Sequence, residues 1–230
     1  MHTSCRLTKK HGFIVQKYIE RPYLIEGRKF DLRVFVLFCV NKHAKDGSGV
    51  EAYMYNEFYV RTSSIAYNTS KKNIKNNMIH LTNDAVQKKQ KGCYGKFEAG
   101  NKVSAKDFAM YVANKGMPED YVENVLVKKL QEMCRTSSKS VANKLNKKKR
   151  KHGFEMMGYD FMLDEKLNPW LIEVNSNPCL EVSLKARNAL SCRLAAALHT
   201  PPNVLSSQSN RALFLKGSLM KLLKALLKLL

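Results

Sequence analysis

Apolar and polar residues alternate with period two at the start of the stretch Phe30 to Val40, where Phe30, Leu32 and Val34 interleave with Lys29, Asp31 and Arg33. This pattern predicts a half-buried β-strand whose polar set shares one face. Ahead of it, Phe13 to Ile19 (FIVQKYI) reads as a further strand running into the Pro22 turn. After a loop at Asn41 to Gly49, the runs Val50 to Tyr55 and Phe58 to Thr62 predict two antiparallel strands turning around Asn56-Glu57, with Arg61 closing the ladder.

The polar, lysine-rich stretch Ser63 to Asn101 lacks periodicity and reads as an ordered loop region containing His80-Leu81-Thr82-Asn83 and Val86-Gln87. Ser104 and Asp107 form a capping box for a helix through Asn114, and Pro118 opens a longer helix with Val122, Leu126, Leu130 and Met133 at helical spacing. That helix is expected to fray into the basic run Lys144 to Lys151. Phe154 to Leu163 and Trp170 to Val174 predict a hairpin across the polar connection Asp164 to Pro169, followed by helical signals from Val182 to Leu198. In the tail, Lys221, Lys224 and Lys228 recur among leucines at helical steps, an amphipathic basic helix that suits a closing core helix, an extension, or a membrane- or microtubule-binding element.

The hairpin carries the most informative chemistry. Asp160 and Glu173 stand at matching distances from its centre near Lys166 and Leu167, so they face each other with Cβ atoms ~5 Å apart. Asn175 projects from the same face, and Gly158 opposite it is expected to leave room for a ligand. Two carboxylates and an amide oxygen, with no thiol or imidazole, suit a hard cation such as Mg²⁺, and an opposed like-charged pair in an apolar hairpin calls for one unless an acid takes up a proton. The alternative is that both acids face solvent. Lys29, Asp31, Arg33 and Arg61 could clamp phosphate or carboxylate oxygens or form a solvated, salt-bridged face, and His80 could be an ordinary loop histidine.

Composition narrows the class. With 230 residues, 44% of them hydrophobic, the chain can bury one domain-sized core. Forty Lys plus Arg against nineteen Asp plus Glu, a formal charge of +21, favour a polyanionic partner: nucleic acid, an acidic membrane face or an acidic protein tail. Met1 to Lys10 has no secretory apolar run, no stretch before the last twenty residues matches a membrane span, and the six cysteines are scattered without metal-ligand spacing, which predicts reduced thiols and a cytosolic location.

The strings QKYIERPYLIEGRKFDLRVFVL, YVRTSS, HLTNDAVQK, YGKFEAGN, GYDFMLDE and WLIEVNSNPCLE, in this order from about Phe13 to Glu181, resemble the tubulin tyrosine ligase and ligase-like family. The resemblance implies an α+β, ATP-grasp-like fold of antiparallel sheets flanked by helices. It implies a partial version, with an unassigned segment 1–12, a ligase domain over 13–200, and a linker and basic tail over 201–230. It places Gln16, Lys17, Tyr18 and Ile19 along the adenine site. Lys29 and Asp31 fall near the ribose, phosphates and incoming amino acid, and Arg33 against the acceptor tail. Arg61, His80, Thr82 and Asn83 take phosphate- and active-site-loop positions, and Asp160, Glu173 and Asn175 become the Mg²⁺ ligands. ATP and Mg²⁺ are the implied cofactors, and the acidic tail of tubulin and a free amino acid the implied partners.

The implied protein is a monomer in the cytoplasm and cytoskeleton, at microtubules, the cilium or the basal body. Nucleic acid is not an expected partner, since no nucleic-acid motif is present. The string HLTNDAVQKKQKGCYGKFEAGN is similar to the tyrosine-ligase pattern, so tyrosine is the favoured added amino acid, with polyglutamylase, glycylase and non-catalytic tail-binder as alternatives. Met1 to Gly12 carries neither the phosphate-binding lysine nor the glycine-rich loop that family members place ahead of the QKY segment, which leaves a truncated product, a fragment or a non-catalytic chain open.

Overall fold

The computed structural model describes residues 16–179, apart from 42, 45–48, 90–91, 148 and 177. All of these lie in Met1–Cys179, the first of two units into which the chain divides. The expected helix at Val182 to Leu198, the leucine-lysine tail, and Cys5 and Cys192 fall outside the described residues.

One antiparallel sheet of five strands in the order β3-β2-β1-β4-β5 organises the described residues. Its strands are β1 (Arg28–Val40), β2 (Val50–Ala66), β3 (Lys102–Ser104), β4 (Phe154–Leu163) and β5 (Pro169–Ser176). Between β2 and β3 lie two single-turn helices, α1 (Asn77–His80) and α2 (Asp84–Gln87), and a 3₁₀ turn at Ala99–Asn101. The longer helices are α3 (Ala105–Asn114) and α4 (Val127–Leu145), the latter preceded by a π-helical segment at Val122–Leu126.

Central β1 departs from the half-buried expectation because both of its faces are covered. Phe30, Leu32, Val34, Val36 and Phe38 pack on one side into the core formed with Phe108 and Val112 of α3 and with Val122, Leu126, Leu130 and Cys134 of the long helical segment. Lys29, Asp31 and Arg33 are nonetheless buried on the other. Burial of such charges requires partners, and these turn out to be each other's neighbours.

Three local expectations are corrected. Residues 16–19 contain no strand, while 13–15 lie outside the described residues; the chain first joins the sheet at Pro22, bridged to Asp164. Strand propensity is realised only against a pleated neighbour, and the side chains near Tyr18 are drawn to Lys29 instead. The two strands expected at Val50 to Thr62 are one 17-residue strand, and Asn56-Glu57 lies in a bulge between the pairs Val34↔Phe58 and Val36↔Met54. Residues that signal a turn thus absorb a bulge, because β1 continues alongside and keeps the ladder going. Finally, Ser63 to Ala66 belong to β2 rather than to the loop region.

The two helices expected within the described residues fit the structure closely. Ser104 accepts the Asp107 backbone N–H at 3.0 Å, capping α3. Pro118 precedes the long helix by one turn, accepting the Tyr121 N–H at 3.0 Å, and Leu145 ends α4 where the basic run begins. Cys39, Cys93, Cys134 and Cys179 are free thiols, and burial pushes Cys134 up to about 12. Among the described residues no helix is long and apolar enough to cross a membrane.

Candidate functional site

The β4–β5 hairpin pairs Gly158 with Asn175 and Asp160 with Glu173, the predicted register. Toward the turn the register slips by one residue, Phe161 pairing with Leu171, because Ile172 is taken up in a bulge. That bulge keeps Leu171 against the core while Glu173 and Asn175 stay on the face of Asp160. At the turn, Asp164 Oδ1 accepts the backbone N–H groups of Lys166 and Asn168, each at 2.9 Å.

Sheet order brings β1 beside β4, with Arg33 paired to Asp160, and β2 beside β1, with Arg61 paired to Asp31. The four side chains form one buried ionic network. Arg33 donates from Nε and Nη2 to both oxygens of Asp160 at 2.5 and 3.0 Å. Arg61 donates to both oxygens of Asp31 at 2.7 and 2.6 Å, and its Nη2 also lies 2.9 Å from Asp160 Oδ2. Thr82 Oγ1 donates to Asp31 at 2.6 Å. Burial by itself would lower Arg61, but Asp31 and Asp160 outweigh it and hold the guanidinium above its ordinary value.

Asn175 Nδ2 donates to Asp160 Oδ2 at 3.1 Å and to Glu173 Oε1 at 3.0 Å, so an N–H₂ group stands between the two carboxylates. This corrects the inference that the opposed acids call for a metal. Asp160 is neutralised by two guanidinium groups, and Glu173 is exposed. The donor set still fits Mg²⁺. A half-turn of the Asn175 amide presents Oδ1 in place of Nδ2, giving three hard oxygen donors around the point that the positive N–H₂ end now occupies. Among the described residues there is no group of three or more His, Cys, Asp or Glu arranged to hold a metal.

The space expected beside Gly158 is also corrected. A Cβ there would stand 3.0 Å from Arg33 Nη1, 3.2 Å from Arg33 Cδ and 2.9 Å from Pro178 Cβ. The missing side chain lets Arg33 lie along β4 to reach Asp160 rather than leaving room for a ligand.

Next to this network lies a second cluster. Lys29 Nζ donates to the Tyr18 hydroxyl at 3.1 Å and to the His80 carbonyl at 2.8 Å, 4.7 Å above the Tyr18 ring. His80 Nε2 faces the Asn73 carbonyl at 3.0 Å, so it carries the proton, and Nδ1 accepts the Tyr18 hydroxyl at 2.8 Å. Both ring nitrogens are therefore engaged. Burial pulls the Lys29 ammonium down to about 8 despite the opposing charge of Asp31. Gln16 and Lys17 are exposed, Ile19 is half-buried, and the exposed Asn83 starts α2 without a side-chain cap.

Several supporting residues carry no functional signal in their sequence spacing, though they lie inside the strings quoted above. Gln87, fully buried, accepts the Ser64 N–H at 2.8 Å and donates to the Met78 and Leu81 carbonyls, tying the His80–Thr82 loop to β2. Arg28 pairs with Glu98 and stacks 4.2 Å over Phe97, while Thr62 donates to Glu98 at 2.9 Å.

The sequence profile of the Tubulin-tyrosine ligase family matches residues 2–210. The chain belongs to this family. Among curated relatives it is 34% identical to Tubulin glycylase 3B of Tetrahymena thermophila over 186 residues, 81% of this chain and 15% of that protein. It is 34% identical to Probable tubulin polyglutamylase TTLL9 of Rattus norvegicus over 195 residues, 82% of this chain and 38% of that protein. It is 31% identical to Tubulin monoglutamylase TTLL4 of Mus musculus over 199 residues, 81% of this chain and 16% of that protein. This family member thus spans well under half the length of these relatives, whose names point to glycine and glutamate rather than tyrosine.

Proposed function

We propose that this tubulin-tyrosine ligase family member is an ATP-dependent carboxylate-amine ligase that adds glutamate or glycine to the acidic tail of tubulin. The observation that carries the reading is the single cluster joining Asp160, Glu173 and Asn175 to Arg33 and Arg61, beside a buried lysine. The names of the relatives favour glutamate or glycine over the tyrosine suggested by the HLTNDAVQ string. The sheet is then one part of an ATP-grasp arrangement within a ligase domain over 13–200, and the protein works at microtubules.

Two displacements make up the reaction. A carboxylate oxygen of the acceptor attacks the γ-phosphorus of ATP and ADP leaves; the α-amine of the incoming amino acid then attacks the acyl carbon, losing a proton as inorganic phosphate departs. Such chemistry needs positioning and charge neutralisation more than a protein nucleophile. Asp160, Glu173 and the Asn175 amide would hold Mg²⁺, which when bound supplies neutralising charge to the nucleotide phosphates. Arg61, held permanently cationic, faces the transferring phosphoryl group. Arg33, already anchored on Asp160, presents its remaining donor capacity to the acceptor carboxylate. Lys29 contributes charge to the nucleotide while His80 orients Tyr18, so His80 is a positioning residue. Tyr18 with Gln16, Lys17 and Ile19 lies along the base, Thr82 keeps the loop beside Asp31, and Asn83 follows it in that loop.

The test is incubation of the chain with tubulin, Mg²⁺ and ATP and, in parallel, labelled glutamate, glycine or tyrosine. Glutamate or glycine entering tubulin supports the proposal. Entry of tyrosine alone would reverse the amino-acid assignment, and tail binding with no turnover of any label would replace the ligase by a binder.

A further inference from the structure

The basic run after α4 plays no part in the ligase site. It lies at the other end of the sheet: from Arg33 to Val40, β1 advances seven residues, roughly 23 Å. There a cavity of about 310 Å³ opens among Val40, Val50, Leu145 and Phe154, with Lys144, Lys147 and Arg150 around it. Phe154 is 59% exposed although it begins a central strand pair. Among the described residues none of the three cations forms an ion pair. Glu155 is the sole carboxylate among the lining residues, so three positive charges against one leave a local excess of two.

The rim is held in shape. Asn146 Oδ1 accepts the Arg150 backbone N–H at 2.8 Å, and its Nδ2 donates to the Arg150 carbonyl at 3.2 Å, closing the chain into a tight turn at the end of α4. The Lys149 N–H closes on the Asn146 carbonyl at 2.9 Å. A turn of cations around a hollow whose lining includes Val40, Val50, Leu145 and Phe154 combines two requirements that separate its potential ligands: negative charge at the rim and an apolar group against those side chains.

We propose that this cavity docks an acidic polypeptide segment whose carboxylates pair with Lys144, Lys147 and Arg150 while one apolar side chain enters beside Phe154. Single-stranded nucleic acid suits the site less well, since it takes a continuous basic track with several stacking rings, and here one exposed ring faces a compact hollow. A membrane surface calls for a broad apolar face, whereas here the exposed apolar side chains are Leu145 and Phe154 beside a mostly polar hollow. The proposal goes beyond the ligase reading and is independent of it.

The experiment measures binding of a labelled glutamate-rich peptide bearing one phenylalanine, by fluorescence anisotropy, without nucleotide. The variant Lys144→Gln, Lys147→Gln, Arg150→Gln is expected to bind about tenfold more weakly, as three rim pairs together would give. A control with Lys89→Gln, Lys106→Gln and Lys128→Gln has the same net charge and is expected to bind like the parent. In addition, Phe154→Ser should weaken the phenylalanine peptide more than one made of glutamate alone. All six lysine and arginine positions are exposed, so the folded state is retained in both multiple variants. Equal weakening in the two multiple variants would assign the binding to overall charge and overturn the proposal, as would displacement of the peptide by RNA or anionic vesicles in preference to unlabelled peptide. Because ATP is absent, loss of ligase activity leaves this result untouched.

Discussion

Arg61 on β2 reaches across β1 to Asp160 on β4, with Nη2 2.9 Å from Oδ2. One guanidinium thereby joins the carboxylates of Asp31 on β1 and Asp160 on β4 and ties three strands into a single electrostatic unit. Its consequence is that the proposed Mg²⁺ ligands differ sharply in structural weight.

Asp160→Ala would leave Arg33 buried without its counter-charge and Arg61 with Asp31 alone, a loss of about 3–5 kcal/mol of stability. Exposed Glu173 touches only Asn175 among the contacts described above, so Glu173→Ala is expected to cost no more than about 0.5 kcal/mol. Urea denaturation should separate the two variants, while label incorporation should be abolished in both. An active Glu173→Ala enzyme would remove the metal assignment.

Gly158→Ala places a methyl group 3.0 Å from Arg33 Nη1 and 2.9 Å from Pro178 Cβ. A cost of about 1–3 kcal/mol is expected from this overpacking, together with loss of activity as Arg33 is pushed off Asp160. Repeating the substitution in an Arg33→Ala background tests the cause. If the Arg33 contact is responsible the stability penalty shrinks, and an unchanged penalty assigns it to Pro178.

Lys29 carries a pH signature. Because burial brings its ammonium to about 8, the charge offered to nucleotide is present below that pH and lost above it, well before an ordinary lysine would titrate. ATP affinity, followed by calorimetry, should therefore weaken as pH rises through about 8, and Lys29→Arg should remove that step. Stability moves the other way. Between about 8 and the usual lysine value the unfolded chain binds more protons than the folded one, so the Lys29 contribution becomes more favourable as pH rises.

Gln87→Ala strips an acceptor from the Ser64 N–H and donors from the Met78 and Leu81 carbonyls. Leaving such buried groups unpaired is expected to cost about 1–3 kcal/mol and to loosen the loop that carries His80 and Thr82. Hydrogen exchange should show faster exchange at residues 78–83 with little change in α4, and uniform acceleration throughout would mean the loop has no separate anchor.

Sequence alone was enough to establish the shared polar face of Lys29, Asp31 and Arg33, the capping of α3, and the Asp160–Glu173 pairing that defines the candidate site. Each depends on features local to a few residues: the two-residue period of a strand, a capping box, and a short connection that folds one strand onto the next. The six ordered strings also sufficed for the family. Tertiary structure decided the rest. Arg33 and Asp160 are 127 residues apart, and only the sheet order β2-β1-β4 makes them neighbours. Charges that looked like free cations and a metal-demanding acid pair proved to neutralise one another, and the glycine expected to admit a ligand admits an arginine. Periodicity reports which face a side chain occupies; which charge waits opposite, and whether a bulge replaces a turn, depends on strands brought together from distant parts of the chain.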